Sequence, residues 1–200
     1  MSLDGRRVRR LCAAYLEQYL GKIRFCVDRL DEDQVWARPH PSGNSVGNLI
    51  LHLCGNLSQW VLSGLGGEAD ARCRPVEFTA ARTATRDELV ERLESVVRRC
   101  RTVVRALDDD ALATARKIQD RRTDGLGALL HAVEHMSYHT GQIVLVAKEA
   151  LGPGSGIDFY PHLNAASTTP PRGSRRPPRA TRARSFKAGR PASGRRRGRR

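Results

Sequence analysis

Histidine is the residue type whose spacing most directly indicates chemistry in this sequence. Three of the six histidines, His131, His135 and His139, follow one another at intervals of four residues. On a helix each such step advances about 400°, so the three imidazoles line one face over two turns. Two histidines at positions i and i+4 can bind one metal ion together, whereas the outer pair lie about 12 Å apart along the axis. The spacing therefore predicts a metal site that contains one neighbouring pair and a ligand from elsewhere.

His52 is the candidate for that third ligand, because it is the one histidine inside the predicted second helix. It lies beside an apolar stripe, and Asn56 follows one turn later on the same face. His52 can therefore point towards the interior of a helical bundle. Spacing alone does not bring it to His135 and His139, and three separate buried or surface histidines fit the same pattern.

Four amphipathic segments must position these side chains. Their apolar residues recur at intervals of three and four, which is typical of a helix that buries one face. The segments cover residues 4–30, 45–65, 85–107 and 124–150. Asp4 is a predicted N-cap, and Thr85 with Glu88 forms a capping box at the start of the third segment. The pattern contains no strand, and residues 111–123 are predicted to be irregular, so the fold class is all-α, a four-helix bundle.

The charge of the chain is concentrated at one end. The formal net charge is +14, and residues 164–200 contribute +13 of it through 12 arginines and Lys187, with no acidic residue. This segment is poor in large apolar side chains, so we expect a folded domain over residues 1–163 and a disordered basic tail over residues 164–200. The tail can contact nucleic acid non-specifically by releasing counterions. An extension without function has the same composition.

The five cysteines are odd in number and contain no CxxC pair, which argues against a disulfide framework and a zinc ribbon. Free thiols fit a reducing compartment. No apolar run reaches the roughly 18 residues of a membrane helix, and no apolar signal core follows the basic N-terminus. We therefore expect a cytoplasmic protein without a membrane partner.

Two runs of sequence carry a family resemblance. The first is His52-Leu-Cys-Gly-Asn56-Leu-Ser-Gln-Trp60, with the stretch from Asp70 to Phe78 after it, and the second reads His131-Ala-Val-Glu-His135-Met-Ser-Tyr-His139-Thr-Gly-Gln142. The sequence resembles the DinB-like (YfiT-like) superfamily of metal-dependent hydrolases and thiol transferases. More narrowly, it is similar to an uncharacterised branch with the signatures HLxGN and EHxxYHTGQI. The resemblance covers residues 10–163.

The resemblance implies a four-helix bundle with a long crossover between helices 2 and 3, which agrees with the aperiodic connection at residues 66–84. It also implies that His52, His135 and His139 hold a divalent metal. Three neutral imidazoles leave a coordination position open, as in catalytic zinc sites. Zinc is the favoured ion, although imidazole also suits nickel, iron and copper.

The same resemblance implies a function, since characterised relatives use low-molecular-weight thiols such as bacillithiol or mycothiol. The leading hypothesis is a metal-dependent transferase that activates such a thiol for attack on a small electrophile. The alternative is a non-catalytic metal-binding or stress-linked bundle whose basic tail contacts nucleic acid. A homodimer is compatible with either hypothesis.

Four further residues are candidates for supporting roles. Gln142 projects within about 20° of His135 and can bond an imidazole or a ligand. Glu134 can orient a histidine or act as a general base, Asn56 can bond His52 or a substrate, and Tyr138 can contact a cofactor or substrate. The alternatives are a polar side chain at the end of the bundle for Gln142 and a surface contact or interhelical salt bridge for Glu134, and His131 is interpreted as a neighbour of the site. In the crossover, Arg74 and Glu77 are expected to pair with each other.

Overall fold

The computed structural model describes residues 4–164, and four long helices dominate it. They are α1 (Gly5–Val27), α3 (Val46–Leu57), α5 (Arg86–Ala106) and α7 (Gly125–Leu151). The fold class predicted from periodicity, an all-α four-helix bundle, is therefore confirmed. The tail predicted for residues 164–200 lies outside the described residues, apart from Asn164.

Each long helix begins at a side chain that accepts a hydrogen bond from a backbone N–H of the first turn. Asp4 accepts from Arg7 N–H, Asp124 accepts from Gly127 N–H, and Ser45 and Thr85 form capping boxes with Asn48 and Glu88. These caps satisfy backbone donors that have no partner within the helix. The caps predicted at Asp4 and Thr85 are thus confirmed.

The shorter elements lie in the connections. They are α2 (Glu32–Trp36), α4 (Arg74–Thr79), α6 (Asp109–Ala113) and α8 (Pro161–Asn164), together with the antiparallel strands β1 (Ala115–Ile118) and β2 (Arg121–Asp124). The hairpin corrects the prediction that residues 111–123 are irregular. Gln119 and Asp120 both adopt positive φ, 51° and 60°, as a two-residue hairpin turn requires. Sequence pattern missed the strands because they are four residues long, rich in arginine and lysine, and without alternation.

The second long helix changes its hydrogen-bonding pattern before it ends. After Leu57 it continues as a π-helix over Ser58–Ser63, with bonds such as Gly64 N–H to Gln59 O at 3.0 Å. π-Helical turns are rare and often accompany functional sites. This turn carries Gln59, which bonds Arg72, and Trp60, which packs against His131, both next to the site described below.

The core fills the space between the four long helices, because α1 and α3 each pack against both α5 and α7. Leucines from all four helices and Trp60 are among its fully buried side chains. Residues 4–159 belong to one compact unit, and α8 belongs to a second. Among the described residues, no helix has the length and apolar character needed to cross a membrane.

Candidate metal centre

Three histidines from two helices meet between α3 and α7. His52 projects from α3, and His135 and His139 project from successive turns of α7. One nitrogen from each ring lies within 4.8 Å of the others. His52 and His139 are only 3% and 8% exposed, and His135 is half-buried. The packing of α3 on α7 thus supplies the interhelical link that spacing alone left open.

The donor set fits a divalent cation. The Nε2 atoms of His52 and His135 face each other at 2.9 Å, which requires one shared proton or a cation between their lone pairs. Zinc bonds of about 2.1 Å at tetrahedral angles place donor nitrogens about 3.4 Å apart. The observed separations, from 2.9 Å to at most 4.8 Å, bracket that value. The three residues can therefore hold a divalent metal after small side-chain movements.

A carboxylate fixes the orientation of His52. The Nδ1 of His52 donates to Glu77 Oε2 at 2.7 Å, and Glu77 comes from α4 in the crossover. This bond places the proton on Nδ1 and leaves the Nε2 lone pair directed at His135 and His139. Carboxylates that hold metal-binding histidines in this way also raise the basicity of the ring.

Glu77 is itself held by a buried arginine. Arg72 donates from Nε to Oε1 at 2.7 Å and from Nη2 to Oε2 at 2.9 Å, and its side chain is 3% exposed. Burial alone would raise the pKa of Glu77, but the hydrogen bonds from Arg72 and His52 outweigh it and the pKa is lowered. The carboxylate is therefore charged at neutral pH, although the pair is largely shielded from water.

The π-helix completes the support of Arg72. Gln59 accepts from Arg72 Nη1 at 2.9 Å and donates from Nε2 to Asp70 Oδ2 at 2.8 Å, while Arg72 N–H donates to Asp70 Oδ1 at 3.0 Å. The hydrogen bond from Gln59 is the largest of the causes that lower the pKa of Asp70. A chain of polar contacts thus runs from Asp70 through Gln59, Arg72 and Glu77 to His52.

Gly55 makes room for this arrangement. A Cβ atom at that position would lie 2.0 Å from Glu77 Oε1 and 3.0 Å from Arg72 Nε. Both atoms are fixed by charge-assisted hydrogen bonds, so they have little freedom to withdraw. The glycine of the HLxGN run is thereby explained: it lets the ion pair lie directly against α3.

Gln142 performs the corresponding task for His139. The Nδ1 of His139 donates to Gln142 Oε1 at 2.7 Å, which leaves its Nε2 free as a ligand atom. Gln142 Nε2 lies 3.5 Å from the Tyr138 hydroxyl, and the Tyr138 ring is 5.1 Å from the His139 ring between centroids. Gln142 and Tyr138 both adjoin the cluster, and Tyr138 is 59% exposed.

The imidazoles of α7 are held in the neutral form that metal binding requires. The pKa of His135 is lowered to about 3, mainly by burial. Positive charge on the neighbouring His139, His52 and Arg72 contributes to the same lowering. Burial also lowers the pKa of His139, against an opposing effect of the hydrogen bond to Gln142. Neutral rings offer lone pairs at physiological pH.

The remaining candidates lie around the cluster. His131 is outside the group of three, and its ring packs against Trp60 with 3.9 Å between centroids. Glu134 is exposed, and its charge acts on His131 and His139. Asn56 is 3% exposed, and its Oδ1 has no hydrogen-bond partner within residues 4–164.

Sequence reasoning assigned no role at the site to Arg72 or Phe78 and gave Glu77 the wrong partner. Glu77 pairs with Arg72 and His52, whereas the Arg74 guanidinium lies over the Phe78 ring at 5.0 Å. The expected Arg74–Glu77 pair is therefore wrong. Phe78 packs on His52 with 4.7 Å between ring centroids. The sequence feature that could have indicated Arg72, Glu77 and Phe78 is their place in the stretch from Asp70 to Phe78, which resembles the family.

Solved structures share this architecture. A conserved protein from Enterococcus faecalis superposes with a TM-score of 0.63 at 15% identity, covering 72% of this chain and 96% of that one. DinB-like proteins from Bacillus subtilis and Bacillus cereus give TM-scores of 0.57 and 0.55, each at 15% identity, and cover 72% and 68% of this chain and 94% and 90% of their own. At this level of identity the likeness shows the fold.

Family membership comes from the sequence itself. Residues 11–149 match the family described as mycothiol-S-transferase. This span covers most of each long helix and contains all three clustered histidines. A comparison with curated proteins gives no significant match. The chain belongs to the mycothiol S-transferase family, within the DinB-like superfamily.

Proposed function

We propose that this protein is a metal-dependent S-transferase that joins a low-molecular-weight thiol, mycothiol by family, to a small electrophile. The observation that carries the proposal is the meeting of three imidazoles from α3 and α7 in a chain of this family. The ion we propose is zinc, and the proposed location is the cytoplasm, where small thiols are kept reduced.

The reaction needs a thiol that has lost its proton at neutral pH. A divalent cation held by His52, His135 and His139 would bring positive charge that neutral imidazoles do not cancel, and would thereby lower the pKa of a bound thiol. In the overall reaction the S–H bond breaks and its proton passes to a base or to water. The sulfur then forms a bond to the electrophilic carbon, and the leaving group departs with its electron pair.

The residues of this chain have distinct tasks in that reaction. Glu77 and Gln142 each accept a hydrogen bond from the Nδ1–H of one ligand histidine, His52 and His139 respectively, and so keep both Nε2 atoms available. Glu134 is the proposed acceptor of the thiol proton, because it is an exposed carboxylate whose charge acts on His139.

Two other residues are proposed to contact the substrates. Asn56 is one helical turn from His52 and has an unpaired amide oxygen, which suits an N–H or O–H group of a ligand. Tyr138 is exposed beside His139 and offers a ring and a hydroxyl at the outer side of the cluster.

The test is a conjugation assay with zinc-loaded full-length protein, mycothiol and monobromobimane, followed by detection of the bimane thioether. We expect turnover above the uncatalysed rate, loss of turnover in His52→Ala, and no change in His162→Ala, since His162 is exposed on α8. If zinc binds stoichiometrically and a panel of electrophiles gives no product with mycothiol, the transferase proposal fails and a non-catalytic metal-binding role replaces it.

A further inference from the structure

A second concave site is lined in part by the Glu77–Arg72 ion pair that holds His52. It is a cavity of about 680 Å³ between α3, the crossover and α5. Cys54 lines it from α3, Ser58 from the π-helix, Cys73 and Val76 from the crossover, and Arg92 and Val96 from α5. None of the three clustered histidines lines it, although Arg72 and Glu77, which support His52, do. Its volume suits an organic molecule of moderate size.

The charges around this cavity leave one cation without a partner. Arg99 forms an ion pair with Glu68, and Arg72 forms one with Glu77. Asp70 accepts hydrogen bonds from Gln59 and from the Arg72 backbone. Arg92 is exposed and makes no hydrogen bond or ion pair with any residue in the described range 4–164. The cavity therefore favours a ligand with a negative charge.

The rest of the lining is largely apolar. Leu51 and Leu62 from the second helix and Val96 from α5 contribute side chains, and Val76 is 58% exposed at its edge. The exposed Val76 and the partly exposed Leu51 are apolar surface that a ligand can cover. The complementary ligand combines an apolar body with one anionic group.

We propose that this cavity binds a small organic anion, with its charged group on Arg92 and its apolar body against Leu51, Leu62, Val76 and Val96. The proposed ligand contacts include neither the three clustered histidines nor the Arg72–Glu77 pair that supports His52. The proposal can therefore be tested separately from the transferase reaction.

The experiment uses 1-anilinonaphthalene-8-sulfonate, an aromatic body with one sulfonate, and the zinc-loaded full-length protein. A fluorescence titration should show one bound dye per chain. We expect Arg92→Gln to weaken binding about tenfold, because a charge-assisted contact is lost. The matched control is Arg105→Gln, which removes the same charge from an exposed position of α5 outside the cavity and should leave binding unchanged.

A second readout locates the dye. Cys73 lines the cavity and is exposed, whereas the other four cysteines are buried. Saturating dye should therefore slow alkylation of Cys73 by iodoacetamide. Equal affinity in Arg92→Gln and the unaltered protein, or an alkylation rate that the dye does not change, would overturn the proposal. Neither readout depends on thiol transfer, so failure here is distinct from failure of the proposed activity.

Discussion

Replacing Gly55 with alanine adds one methyl group at the point where α3 meets the ion pair that orients His52. The new Cβ would lie 2.0 Å from Glu77 Oε1, far inside van der Waals contact. The backbone of α3 is packed in the core, so we expect the carboxylate to move. Movement of Glu77 breaks or lengthens its 2.7 Å hydrogen bond with His52.

The magnitude follows from two opposing effects. Glycine to alanine inside a helix stabilises by about 1 kcal/mol. Loss of a hydrogen bond to a charged group costs about 1.5–3 kcal/mol, so Gly55→Ala should lower the free energy of unfolding by about 0.5–2 kcal/mol. Disturbing a carboxylate that orients a ligand histidine typically weakens metal binding by about 10–100-fold. Zinc affinity should therefore fall by that factor in a protein that still folds.

The assay is competition for zinc with a chromophoric chelator at pH 7.5, together with urea unfolding of the metal-free protein. Gly141→Ala is the matched control, because Gly141 lies on α7 close to His139 and a Cβ there meets nothing within 4 Å. The control should gain about 1 kcal/mol of stability and keep its zinc affinity. If Gly55→Ala also gains stability and binds zinc within twofold of the unaltered protein, the role assigned to Glu77 is wrong.

Three further predictions address the same framework. Glu77→Gln should weaken zinc binding about 10–100-fold and lower the free energy of unfolding by several kcal/mol, because it leaves the buried charge of Arg72 unpaired. Glu68→Gln in the same crossover should change zinc affinity and stability little. Equal effects of the two variants in chelator competition and urea unfolding would refute this prediction. In metal-free folded protein the pKa of His135 is lowered to about 3, whereas in the unfolded chain it is about 6.5. Below pH of about 6.5 the unfolded state therefore binds a proton that the folded state does not, and the urea midpoint should fall as pH decreases. A midpoint that is constant or rises between pH 7 and 5 would contradict this prediction. Thr85→Ala should lower the free energy of unfolding by about 1 kcal/mol because the cap is lost, and Thr102→Ala inside the same helix should not; the comparison fails if the two variants unfold alike.

Periodicity and capping predicted the bundle well, because both are local properties of the chain. Apolar residues at intervals of three and four gave the four long helices, and Asp4 and Thr85 marked two of their starts. The hairpin escaped this reasoning, since its strands bury only Ile118 and its turn is made by Gln119 and Asp120 rather than by glycine. Such short polar strands carry no periodic signal.

Contacts of the site between residues close together in the sequence could be predicted, whereas those between distant residues could not. His135, His139 and Gln142 share one helix, so helical angles placed them together. His52 is 83 residues from His135, and only the family resemblance joined them before the structure did. The link between His52 and Glu77 spans 25 residues and depends on how the crossover folds back over Gly55, which periodicity does not encode.

The most direct test of the metal centre is the metal content of purified protein after equilibration with zinc at neutral pH. We expect one zinc per chain in the unaltered protein, loss of it in His52→Ala, His135→Ala and His139→Ala, and retention in His131→Phe. That last variant keeps a ring against Trp60 and removes an imidazole outside the cluster. Full zinc occupancy in His52→Ala, or no stoichiometric binding of zinc, nickel or iron by the unaltered chain, would contradict the assignment of this site.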